Sequence, residues 1–181
     1  MPEKATSRRQ IVLAVIGPGD ASWLEALAPM LDDVFDADSS VIDAIALPED
    51  AYNASRRQYH STVLLDTLAR HKRPEWERLL GLTDVDLYTP DLNFVFGQAD
   101  SRRGVAVFSV ARLHTANDDR FLHRAATEAI HELAHTYGLS HCTDARCVMW
   151  FSNTLEETDR KGTQFCAAHA GALRRAFAGN G

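Results

Sequence analysis

Residues 131–142 read HELAHTYGLSHC. Three histidines, a glutamate, a glycine and a cysteine fall within twelve positions, which makes either a metal site or a helix end that is merely rich in histidine. On an α-helix, residues four apart stand one turn above each other, so His131 and His135 aim their rings at one place. Glu132 is rotated about the axis from His131; it misses that coordination position but reaches a water held there. Gly138 lets the chain turn sharply, and His141, three residues on, swings back as a third ligand. This is how HExxH supplies two zinc ligands and a general base. Three protein ligands and one open place distinguish catalytic from structural zinc. The ion would draw the pKa of its water from about 15.7 toward about 7. Glu132 would accept that proton as the hydroxide attacks a carbonyl, then pass it to the departing amine. A histidine on a helix face is ordinarily a half-buried polar residue, and HExxH alone leaves that reading open. The longer pattern HExxHxxGxxH fixes five identities, and chance supplies it rarely.

Working outward, Asn117 or Asp118 is placed to cap DRFLHRAATEAIHELAHTYG, a long helix ending at Gly138. Before it, residues 80–112 read as extended chain: LGLTDVDLY, LNFVFGQA and GVAVFSVARL. Their short connections favour antiparallel pairing, so at least one strand should oppose the others. Near the start, IVLAVIG (Ile11–Gly17) is a buried strand closed by Gly-Pro-Gly-Asp. Trp23, Leu24, Leu27, Met30, Leu31 and Phe35 then follow helical spacing, predicting an amphipathic helix over 21–36. SSVIDAIALP (Ser39–Pro48) is read as a second strand, and strand, helix, strand implies a parallel pair. Residues 53–72 read as another helix with Leu64, Leu65 and Leu68 on its apolar face, and PEWERLL as a short helical turn or its extension. The expected fold class is α/β: a mixed, mostly parallel twisted sheet with one antiparallel edge strand, packed on helices including the long active-site helix. An irregular C-terminal segment ending in a helix completes it. The expected organisation is one domain over 1–181, with an N-terminal subdomain about 8–138 and a C-terminal one about 139–181.

Composition bounds the function. The chain of 181 residues is 45% hydrophobic and 24% charged, as in ordinary globular proteins. A net charge of -6 removes the electrostatic case for nucleic acid or an anionic membrane as partner. The polar start MPEKATSRRQ precedes only seven apolar-rich residues, too few for a secretory core or a membrane span. A cytoplasmic monomer is expected. The three cysteines, Cys142, Cys147 and Cys166, are odd in number and lie in the last quarter of the chain. That argues against a disulfide framework and leaves metal binding, a reactive thiol or plain burial.

The extended motif resembles that of the metzincin metallopeptidases, which continues to a Met-turn beneath the metal. Met149, eight residues after His141, is the candidate. Cys142 directly after the third histidine, then Cys147, Met149 and CAAH (Cys166–His169), are similar to the archaemetzincins. Their pattern runs HExxHxxGxxHC, four residues, C, one residue, M, a longer gap and CxxC. VMWFSNTL, TDVDLYTPDLNFVFGQA and GVAVFSVARL are also similar, so the resemblance covers roughly residues 80–170 and, more weakly, the N-terminal strand and helix. It implies a metzincin-like fold and a zinc metallopeptidase acting on a peptide or unfolded protein. It also implies a catalytic zinc on His131, His135 and His141 with Glu132 as base, and a second, structural zinc on four cysteines. Here His169 stands in place of the fourth cysteine. Cys3His is an established tetrahedral zinc set, so a second zinc is expected on Cys142, Cys147, Cys166 and His169, two zinc ions per chain in all. Three buried free cysteines with His169 on a surface helix is the competing reading. By the same resemblance NFVFGQA (Asn93–Ala99) is the edge strand that pairs with extended substrate. Two other functions remain open on sequence: a two-zinc peptide-binding or scaffold module without catalysis, and a zinc amidohydrolase acting on a non-peptide amide.

Overall fold

The computed structural model describes residues 8–19 and 22–179. Five strands form the main sheet: β1 (Arg9–Val15), β2 (Ala37–Val41), β5 (Arg78–Thr83), β7 (Gly97–Asp100) and β8 (Val105–Ser109), in the order β2-β1-β5-β8-β7. The pairs β1–β2, β1–β5 and β5–β8 are parallel; β7 runs antiparallel to β8 on the edge. The expected mixed sheet with one antiparallel edge strand is therefore present. A small sheet of β3 (Tyr52–Asn53), β4 (Gln58–His60) and β6 (Leu87–Tyr88) flanks it.

Period-two alternation decides what each face of the sheet buries. Ile11, Leu13, Leu80, Leu82, Ala106 and Phe108 face one cluster, shared with helices α1 (Leu24–Phe35) and α3 (Asp118–Thr136) and with the C-terminal helix α5 (Ala167–Gly179). Val12, Ala14, Leu79, Val105 and Val107 face the other, closed by Leu64, Leu65 and Leu68 of α2 (Ser61–His71). Both faces are thus covered, as a largely parallel sheet requires.

Helix α3 carries the site. Asn117 caps it, its Oδ1 accepting from Arg120 N–H at 2.7 Å, and Asp118 and Asp119 set negative charge against the positive end of the helix dipole. Ala125, Ala126, Ala129 and Ala134 are fully buried, and such small side chains let the helix lie close to the sheet. It ends in a complete Schellman motif: Leu139 N–H donates to Ala134 O at 3.2 Å, Gly138 N–H to His135 O at 3.0 Å, and Gly138 takes φ 84°.

Several predicted boundaries differ. Residue 21, where the first helix was expected to begin, and Asp20, which closes the first turn signal, lie outside the described residues. The strand expected over 39–48 is β2 at Ala37–Val41; beyond it Ile42 and Ile45 still donate to Leu13 and Val15, alongside β1 but without a continuous ladder. The helix expected over 53–72 begins only at Ser61. Tyr52–His60 instead form the β3–β4 hairpin, with Arg57 left-handed at φ 56° in its turn, a conformation incompatible with helix. PEWERLL is not helical: Arg78–Leu80 open β5, and the ladder to β1 overrides the local preference.

Candidate active site and metal centres

The Schellman turn that ends α3 also aims its last histidine. Leu139 O accepts from His135 Nδ1 at 2.7 Å, and Val148 O accepts from His131 Nδ1 at 2.7 Å. A carbonyl can only accept, so each Nδ1 carries the proton and each Nε2 presents a lone pair. Those two Nε2 atoms stand 3.0 Å apart. The His141 ring closes the group, its centroid 5.3 Å from that of His131 and 4.8 Å from that of His135. One ligand atom from each of the three lies within 4.8 Å of the others. Burial lowers the pKa of His131 well below its ordinary value and that of His135 to about 4; burial also lowers His141. Neutral rings with lone pairs converging on one point repel each other and suit a cation between them.

Glu132 is 5% exposed and lines the same cleft as the three histidines. Burial, then the Glu128 carboxylate, raises its carboxyl to about 8, with Lys161 opposing. The cleft has a volume of about 380 Å³. Residues 94–99, which lead into and open the edge strand, form one wall and Phe151, Ser152 and Asn153 another. Of the expected substrate strand Asn93–Ala99, only Gly97–Ala99 lie in β7; Val95 makes an isolated antiparallel bridge to Leu87.

The three cysteines and His169 also meet. Cys142 Sγ and Cys166 Sγ are 3.8 Å apart, and Cys166 Sγ is 3.2 Å from His169 Nδ1. Two thiolates on one tetrahedral zinc, with Zn–S of about 2.3 Å, stand about 3.8 Å apart. His169 Nε2 donates to Ser140 O at 3.0 Å, which leaves Nδ1 unprotonated toward the sulfurs. Backbone N–H groups of Asp144 and Cys166 donate to Cys142 Sγ and Cys147 Sγ. Burial pushes the Cys147 thiol up, whereas the His169 backbone N–H and then its side chain hold Cys166 down. All three cysteines are free of disulfides. The donor sets of both centres therefore fit zinc.

A family model described as "Peptidase family M54" matches residues 38–175. The chain belongs to that family. The archaemetzincin of Methanopyrus kandleri is 51% identical over 129 residues, 71% of this chain and 73% of that one. The archaemetzincin of Archaeoglobus fulgidus is 42% identical over 151 residues, 83% and 91% of the two chains. In structure, the chain is similar to the crystal structure of the Methanopyrus kandleri protein with a TM-score of 0.88 at 39% identity, over 96% of this chain and 98% of that one. A crystal structure described as a zinc-dependent peptidase from Methanocorpusculum labreanum gives a TM-score of 0.82 at 28% identity, over 90% and 99%. This M54 protein is a zinc metallopeptidase.

Sequence reading of the M54 motif reached all seven metal-site candidates and Glu132, but missed what supports them. Glu128, one turn before Glu132, lines the cleft and meets Lys161 Nζ at 3.1 Å, with both side chains nearly inaccessible. Helical spacing from Glu132 could have found Glu128. Nothing in LEETDRK marks Lys161 as buried.

Proposed function

We propose that His131, His135 and His141 hold the catalytic zinc of this metallopeptidase and that Glu132 is its general base and proton shuttle. The observation that carries the assignment is the pair of Nε2 lone pairs brought to 3.0 Å by carbonyl partners on Nδ1. Zinc bound there would supply Lewis acidity toward a water and the scissile carbonyl. Glu132 takes the proton of the attacking water on a carboxylate oxygen and delivers it to the departing amine. Phe94, Phe96 and Phe151 give the cleft apolar surface for substrate side chains, and an extended peptide lies along the β7 edge. Cys142, Cys147, Cys166 and His169 hold a second, structural zinc. That centre supports the first, because Cys142 adjoins His141 and Val148, the partner of His131, adjoins Cys147. Met149, fully buried beside these residues, serves as the Met-turn. Three unpaired thiols suit a reducing compartment, and the cytoplasm is the place of action this reading takes.

The test is Glu132→Gln, which keeps two zinc ions per chain by elemental analysis and abolishes peptide hydrolysis. Parent-like cleavage by that variant removes Glu132 from the mechanism; a content of one zinc removes the second centre.

A further inference from the structure

We propose that Gly97 is a positioning residue for the general base: the bare backbone of the edge strand is the stop against which the Glu132 carboxylate rests. The proposal deepens the reading of Glu132 given above and rests on it.

Glu132 accepts no side-chain hydrogen bond from any described residue, unlike its neighbours His131 and His135, which are tied to carbonyls. With no protein donor to tie it, the direction of its arm is left to packing. The strand opposite supplies that packing. A Cβ built on Gly97 would stand 2.6 Å from Glu132 Cγ, 2.6 Å from Oε1 and 2.7 Å from Cδ, distances real side chains do not show. Those three atoms are the arm and head of the carboxylate. No other glycine among the described residues meets an ionisable group so closely; Gly81, the comparable case, meets the aliphatic ends of Ile16 and Leu68.

The reason for glycine here is space and not backbone conformation. Gly97 is not among the residues of positive φ and sits in ordinary strand register opposite Phe108. An alanine is therefore compatible with the β7 backbone, and the conflict falls on Glu132, whose side chain can rotate. A Cβ at 97 leaves the sheet and the three histidines in place and moves the carboxylate off its line.

The strand that stops the base is also the edge strand along which the proposed peptide lies. Two mechanisms of loss then separate kinetically. Displacing Glu132 lowers kcat, because the base acts in the reaction; obstructing the edge raises KM.

The experiment is a double-mutant cycle on the full chain, with Gly97→Ala, Glu132→Ala and their combination, plus Glu132→Gln in the same assay. Gly97→Ala is expected to keep the parent zinc content and to lower kcat on the order of 100-fold, the cost of roughly ångström misplacement, with KM nearly unchanged. Glu132→Ala removes Cγ, Cδ and Oε1 together, so adding Gly97→Ala costs the residual activity no more than about threefold further, a non-additivity expected of residues in contact. Thermal unfolding gives a readout apart from activity: whatever Tm Gly97→Ala loses is recovered in the combination, even if the single variant folds poorly. Parent-like kcat in Gly97→Ala, a loss confined to KM, or equal losses of Tm in the two backgrounds overturns the proposal. If Glu132→Gln is itself active, the role of Glu132 fails first. If it is inactive while Gly97→Ala is not impaired, only the positioning role falls.

Discussion

At the scale of single residues, the deepest ion pair among the described residues joins Lys161 to Glu128. Nζ lies 3.1 Å from Oε1, yet makes no geometrically aligned hydrogen bond, and the two side chains are 1% and 2% exposed. Glu128 Oε1 also accepts from Thr158 Oγ1 at 3.1 Å. Charges this deep are tolerated only in each other's company, since removing one leaves the other desolvated and unpaired. Lys161→Met is thus expected to cost about 3–5 kcal/mol, and Glu128→Gln with Lys161→Met together to cost clearly less. Urea unfolding of the parent, single and double variants checks this; equal costs would mean the lysine stem matters only as packing. The contrast with the histidines explains what was legible. His131, His135 and Glu132 are related by helix geometry within five residues, so spacing alone brings them together. Lys161 and Gly97 acquire their roles from chain thirty or more residues away, and no local pattern encodes that.

At the scale of elements, α3 is the part read most nearly correctly, because its cap and its terminal glycine agree. Asn117 is its start signal, and its side chain accepts from Arg120 N–H at 2.7 Å. Asn117→Ala is expected to lower stability by about 1 kcal/mol and to leave kcat and KM unchanged, as Glu132 lies four turns down the helix. Calorimetry and steady-state kinetics on one preparation test both halves; a kinetic change would mean that fraying at the first turn reaches the site. The hairpin at 52–60 was illegible for the opposite reason. Its strands are two and three residues long, too short for alternation to register, and its turn uses Arg57 at positive φ where glycine or asparagine would have signalled it. β5 was obscured by Pro74-Glu75-Trp76-Glu77, a sound helix opening whose continuation is taken instead by pairing with β1 and β8.

At the scale of the whole molecule, arginine–carboxylate pairs fasten the outer elements to the core. Arg124 on α3 holds Asp159 of α4 (Leu155–Lys161) through two bonds of 2.6 and 2.7 Å. Arg112 grips Asp86 similarly at 2.6 and 2.7 Å. The Arg124 hydrogen bond lowers the Asp159 carboxyl. Burial works to raise Asp86, but the bonds from Arg112 and Gln58 outweigh it and the net shift is downward. A carboxyl whose folded pKa is depressed adds stability above its unfolded pKa of about 3.9 and loses it as pH falls through the folded value. Each pair is partly open to solvent, so each contributes on the order of 1 kcal/mol or less. Their loss is nonetheless local, because Asp159 is one of the residues, with Thr158 and Lys161, that tie α4 against α3. The contribution of Asp159, read as the difference between parent and Asp159→Asn, should therefore be constant from neutral pH to about 5 and decline below about pH 4. Asp159→Asn should be slightly less stable at neutral pH and show a shallower acid decline, the two curves converging at low pH. Denaturant titrations at successive pH values measure both, and parallel curves would show that Asp159 ionises alike in the folded and unfolded chain.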